Sequence, residues 1–199
     1  MGILKTITEE YFGNIIREED EIDIDGLDVE IVSFTDNNGK KHGRGYKPKD
    51  IDTLKELLER MIKVRGDGGD FNDIDTSDIT NMQYLFNYNS TFNGDITGWN
   101  VSSVRYMNYM FSNASSFNQP IGNWEFPNVE NMIGMFWDAS SFNQPIGDWE
   151  FPNVTDVSYM FYGAASFDQD LSKWDLKGKE KDKIFDGCPI KDEYKPKMK

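Results

Sequence analysis

One histidine, His42, and one cysteine, Cys188, are all the imidazole and thiol that 199 residues offer. Nucleophilic catalysis needs an activated hydroxyl or thiol within reach of a base that a third group orients. Here the histidine falls in a predicted hairpin, beside Lys41 and Arg44, and the cysteine lies near the other end of the chain. Zinc needs clustered Cys and His ligands, and no such spacing occurs. Residues 66–75, GDGGDFNDID, gather Asp67, Asp70, Asp73 and Asp75. They lack the D-x-[DN]-x-[DN]-G-x5-E order of a calcium loop, so they read first as a helix stop and a turn, with a weak calcium site as the lesser reading. No G-x-x-x-x-G-K-[ST] loop and no G-x-G-x-x-G after a strand points to a nucleotide. These residue types predict no enzyme, no cofactor and no metal.

Recognition chemistry is better supplied. Tyr84, Tyr109, Gly134 and Tyr159 recur at intervals of 25, and Asn87, Ser112, Trp137 and Tyr162 follow three positions behind them. Trp137 beside Tyr84, Tyr109, Tyr159 and Tyr162 would form an aromatic patch of the kind enriched at interfaces. A second variable column, Asn100, Glu125, Glu150 and Asp175, is acidic, and Asp148 and Asp170 flank it. It could meet a basic partner. The competing reading is that the tyrosines lie along their neighbours and the acids only keep the chain soluble.

Those columns exist because the chain repeats. SSFNQPIGNWEFPNV, residues 115–129, returns as SSFNQPIGDWEFPNV, residues 140–154. At the same offset stand Phe92, Phe117, Phe142 and Phe167, then Trp99, Trp124, Trp149 and Trp174, then Phe86, Phe111, Phe136 and Phe161. Asn93, Asn118 and Asn143 align, with Asp168 in fourth place. Phe71 and Ile74 belong to a leading half repeat, and Ile184-Phe185 to a closing one with a residue deleted. A fixed period of this length marks units that bury their apolar faces only by stacking. Val129, Met132, Met135, Phe136 and Ala139 have the spacing of a short helix, with Asn128 and Asn153 placed as N-caps. Residues 117–126 read as a brief bent strand. The predicted unit is strand, turn, short helix, turn. The fold class expected is an α/β solenoid, a leucine-rich-repeat-like stack of about four such repeats.

The unit MFSNASSFNQPIGNWEFPNVENM resembles the 25-residue repeat of bacterial BspA-like leucine-rich-repeat surface proteins, also found in mycoplasma lipoproteins. The family form is close to M-F-x-x-A-x-S-F-N-x-x-I-x-x-W-D-V-S-N-V-T-N-M, and residues 71–176 match it about four times. E-F-P-N-V stands here where D-V-S-N-V is usual. The resemblance implies a surface for protein recognition and no enzyme. It supplies no fixed binding residues.

Four regions follow. Residues 1–47 read as a helix over 7–17 and a β-hairpin, with a strand at 28–34 and its partner ending at Tyr46. Residues 48–70 hold a helix that Asp50 or Asp52 caps and Gly66 stops. Its stripe of Leu54, Leu57, Leu58, Met61 and Ile62 would cover the first repeat. Residues 71–176 are the repeats, and 177–199 a cap and a Lys-rich tail.

Formal charge is −14, and residues 66–176 carry fifteen acidic against two basic side chains. Such a surface repels nucleic acid and steers basic partners. No basic, apolar, small-residue leader opens the chain, and no apolar run is long enough to span a membrane. The expectation is a cytoplasmic monomer as written, although the resembling proteins are often at the cell surface. It would bind another protein, a basic one in the stronger form of the idea. The alternative is an intracellular acidic inhibitor, or immunity protein, that neutralises a basic toxin or nuclease.

Overall fold

The computed structural model describes residues 22–197. The helix expected over 7–17 lies outside them. Strands β1, Val29–Thr35, and β2, Lys41–Pro48, pair antiparallel with Val29 opposite Pro48 and Thr35 opposite Lys41. The turn between them is built on Asp36, whose carboxylate accepts the backbone N–H groups of Asn38 and Lys40, both at 2.9 Å. Its other oxygen accepts from His42 Nε2 at 2.8 Å. An ionised carboxylate only accepts, so the proton sits on Nε2. Burial pushes the Asp36 carboxyl up, but the His42 bond and the two backbone donors outweigh it and hold the group below the ordinary aspartate range. His42 thus serves the turn.

Helix α1, Ile51–Arg65, starts where Asp50 accepts from Thr53 N–H and ends at Gly66, whose φ of 77° is left-handed. Leu54, Leu57, Leu58 and Met61 are buried and belong to one continuous core with Phe71, Ile74 and the repeat side chains. Several links carry the hairpin and helix into the repeats, among them the bond from Asn37 N–H to the Gly98 carbonyl. Tyr46 of β2 exchanges backbone bonds with Asp73 and Asp75, and Arg65 grips Asp73 through both guanidinium nitrogens at 2.7 Å.

The repeat region corrects the expected fold class. No strand–turn–helix solenoid of the leucine-rich-repeat kind is found. Among the described residues the only regular elements are the β1–β2 pair, α1 and a single 3₁₀ turn at Asp192–Tyr194. Residues 66–190 are turns and bends joined by isolated bridges. The reason lies in where the amides go. Met110, Ser112 and Ala114 donate to carbonyls three residues back. The alternating amides of Met107, Tyr109, Phe111 and Asn113 donate sideways, to Asn131, Ile133, Met135 and Trp137. An α-helix needs every amide for its own fourth-preceding carbonyl. It also cannot absorb the left-handed residues Tyr109 and Asn113, with φ of 56° and 59°. The apolar i, i+3 spacing read as a helical face is the spacing of consecutive tight turns. Likewise Asn128 and Asn153 cap no helix. Their amides donate to the carbonyls of Ser102 and Pro127.

Sequence-equivalent residues do face one another. Asn81, Tyr106, Asn131, Asp156 and Glu180 form a row of parallel bridges. Phe86, Phe111, Phe136, Phe161 and Phe185 stack at successive centroid distances of 5.5, 5.6, 5.6 and 5.9 Å. Phe185 keeps the column although one residue is missing before it. Polar groups obey the same register. The side-chain oxygen of Asn93 accepts from Asn118 N–H, that of Asn118 from Asn143 and that of Asn143 from Asp168. Gln119, Gln144 and Gln169 add amide donors to the same asparagines. Buried backbone is thereby satisfied without regular secondary structure.

Candidate functional site

The structure brings the five predicted aromatics into one row. Tyr84 and Tyr109 stack at 5.3 Å with planes 7° apart. Tyr109 meets Trp137 at 6.3 Å, Trp137 meets Tyr159 at 5.2 Å, and Tyr162 closes on Trp137 at 4.9 Å. Tyr84 is 47% exposed, and Tyr88, which sequence reasoning passed over, is 73% exposed.

The row has a break and a repair. Gly134 occupies the position that is tyrosine in the two segments before it and in the one after. With no side chain there, the Tyr109 ring lies over Gly134, where a Cβ would meet Cε1 at 2.5 Å. Trp137, three residues on, fills the gap between Tyr109 and Tyr159. Its indole Nε1 donates to Asp138 at 2.9 Å, and Asp138 in turn packs against Gly163.

This column is also strained. Tyr84, Tyr109 and Tyr159 have φ of 57°, 56° and 59°. A bulky residue in left-handed backbone costs about 1–2 kcal/mol. The other left-handed column, Asn113, Asp138, Gly163 and Gly187, uses residues that tolerate the conformation, apart from Tyr88 at its start.

Carboxylates border the row, and they are mostly not the predicted ones. Asp138 holds Trp137, and Asp182 accepts from Tyr159 Oη at 3.1 Å. That bond raises the Tyr159 phenol above its ordinary value, and burial, then Tyr84 and Asp156, raise Tyr109. Neither Asp138 nor Asp182 recurs in a repeat column as an acid, so the periodic reading missed them. The predicted acids behave unevenly. Glu125 and Glu150 are exposed with no ion pair among the described residues. Asp148 pairs with Lys173 at 2.7 Å, and Asp175 caps its own turn through Lys177 N–H.

A shallow depression of about 470 Å³ opens along the row, lined by Tyr84, Asn87, Tyr88, Tyr109, Asn113, Trp137 and Asp138. Asn87 Oδ1 is buried at its edge without a hydrogen-bond donor.

The catalytic candidates stay apart. His42 is bonded to Asp36, and the Cys188 thiol donates to the Phe167 carbonyl at 3.3 Å. Burial pushes that thiol up, away from thiolate reactivity. Among the described residues no group of three or more His, Cys, Asp or Glu is placed to hold a metal, and no helix is long and apolar enough to cross a membrane. In the Asp67–Asp75 stretch, Asp73 binds Arg65, while Asp70 and Asp75 cap turns through Asn72 and Ser77.

The model of a family described as Mycoplasma protein of unknown function, DUF285, matches residues 53–187. No curated protein and no solved structure matches the chain.

Proposed function

The chain belongs to that Mycoplasma family, and from this premise we propose that it is a non-catalytic protein-recognition module whose partner docks on the Tyr84–Tyr162 aromatic row. One observation carries the reading. The chain keeps tyrosine at left-handed positions 84, 109 and 159, although Gly134 shows that the same position folds with glycine. Folding alone favours glycine there. Rings kept at the surface, Tyr84 exposed and Tyr109 and Tyr159 half-buried, against backbone strain point to a role outside the fold. The repeat motif supports a finer kinship with BspA-like surface proteins, which use their repeats for recognition.

The experiment compares immobilised wild-type protein with Trp137→Ala in capture from cells of the source organism. A specific partner held by wild type and lost by at least about tenfold with Trp137→Ala, as for an interface hot spot, is the expected result. Equal capture by both proteins sinks the reading.

The acidic charge of residues 66–176 favours a second form of the same idea, an inhibitor of a single basic toxin or nuclease. Its association rate would fall steeply with salt, and Glu125→Gln with Glu150→Gln would slow it. A salt-resistant complex excludes it.

A further inference from the structure

We infer that the depression between Tyr84 and Asp138 is a seat for an arginine side chain of the partner protein. The inference rests on the recognition reading and names the chemistry of its contact.

Four features of the site agree. Its lining is aromatic, the Tyr84–Tyr109 stack running on to Trp137 with the exposed Tyr88 ring beside it. A planar guanidinium stacks on such rings and is drawn to them electrostatically. Asp138 supplies a carboxylate that spends one lone pair on Trp137 Nε1 and keeps the others for a second donor. Asn87, whose Oδ1 is closed to solvent and has no donor in the folded chain, lines the same depression. A guanidinium, with five N–H groups and no acceptor, is the complement of the lone pairs that Asp138 keeps. Finally, the molecule already places a cation on this row. Lys183 Nζ stands 6.0 Å over the Tyr159 ring, at the far end, where the column runs Tyr84, Tyr109, Gly134, Tyr159, Lys183. Between residues 66 and 176 the only basic side chains are Arg105 and Lys173. These two bind Glu130 and Asp148, and among the described residues no basic side chain lines the depression.

Arginine is favoured over lysine by the shape of the acceptors. Aromatic rings beside a two-oxygen carboxylate match a flat fork of donors better than a compact ammonium.

The test uses the full chain and a tetra-arginine peptide, with tetra-lysine and spermidine as rivals. The intrinsic reporter is Trp137, because the other four tryptophans are at most 3% exposed. Tetra-arginine should shift Trp137 emission saturably and bind more tightly than tetra-lysine. Asp138→Asn keeps an acceptor for the indole and removes the charge. It should weaken tetra-arginine at least about fivefold, while Glu59→Gln, exposed on α1 and outside the depression, changes it less than about twofold. Unchanged binding in Asp138→Asn, an equal loss in Glu59→Gln, or spermidine binding as tightly as the peptide overturns the inference. Competition separates the two levels. A partner that Trp137→Ala releases but tetra-arginine does not displace removes the arginine seat and leaves recognition standing. A peptide that fails to bind, with no Trp137-dependent partner, removes both.

Discussion

Two columns of rings run side by side through the repeats and obey different rules. The inner one, Phe86 to Phe161, is the same residue at every step, fully buried, spaced by 5.5–5.6 Å with planes 6° apart. The outer one runs Tyr84, Tyr109, Gly134, Tyr159, is partly exposed, and departs from even spacing where Gly134 interrupts it. Burial demands identity, because each ring must fit the space its neighbour leaves. Exposure tolerates change and so can carry specificity. The outer column breaks its period and bears backbone strain, yet the chain has supplied Trp137 to keep the row continuous.

The sharpest way to break the contrast is to truncate one ring of each kind. Phe136 touches Phe111, Phe142 and Phe161 and has no exposure. Phe136→Ala removes a ring from a column that cannot collapse without disturbing the register, so it should cost about 3–5 kcal/mol. Trp137→Ala, one residue along, should cost less than about 1 kcal/mol, because solvent already reaches that ring and can fill its place. Urea unfolding of both variants decides it. Equal losses would mean that the outer row belongs to the core, and the recognition argument would lose its basis.

A smaller effect tests the strain. Gly134→Ala puts a Cβ into left-handed backbone and against the Tyr109 ring. It should destabilise by about 1–2 kcal/mol and displace Tyr109, changing Trp137 emission. The reciprocal change, Tyr84→Gly, trades a lost ring stack for relieved strain and should be neutral within about 1 kcal/mol. A large loss for Tyr84→Gly would show that the tyrosines are needed for folding.

The comparison also explains what the sequence made legible. Identity at a period of 25 is a burial signal, so the Phe and Trp columns and the Asn93–Asn143 ladder could be read directly. The hairpin and α1 were legible from local rules, with Gly66 as the stop and Asp50 as one of two candidate caps, the one the structure uses. The backbone of the repeats was not. Tight turns that share amides between neighbouring segments give the same i, i+3 apolar spacing as a helix, and only φ tells them apart. Tyrosine in left-handed backbone hides that difference further, since it carries none of the usual glycine or asparagine signal. The aromatic row was found by asking which columns vary. Its acids were not, because Asp138 and Asp182 occur once each and lie outside any periodic column of acids. What marks Asp138 is its place beside Trp137, and that matters only once the indole is seen to need an acceptor.

The smallest effect lies inside the buried set, where two tryptophans of one column differ by a single hydrogen bond. Trp149 and Trp174 are each 3% exposed. Each meets a phenylalanine edge-on at 4.7 Å, Phe126 for the first and Phe151 for the second. Trp174 Nε1 donates to the Ile146 carbonyl at 3.0 Å, whereas Trp149 Nε1 is buried with no acceptor. Replacing either by phenylalanine removes the same volume from nearly the same surroundings. The volume cost cancels in the difference, and what remains is the bond. Trp174→Phe loses the bond to the Ile146 carbonyl, which keeps only the Trp149 backbone N–H, while Trp149→Phe relieves an orphaned N–H. Trp174→Phe should therefore be the more destabilising by about 1 kcal/mol, read from the difference in urea midpoints at constant slope. Equal costs would mean that Trp149 Nε1 finds a partner in solution, and that identity of residue in a buried column does extend to identity of bonding.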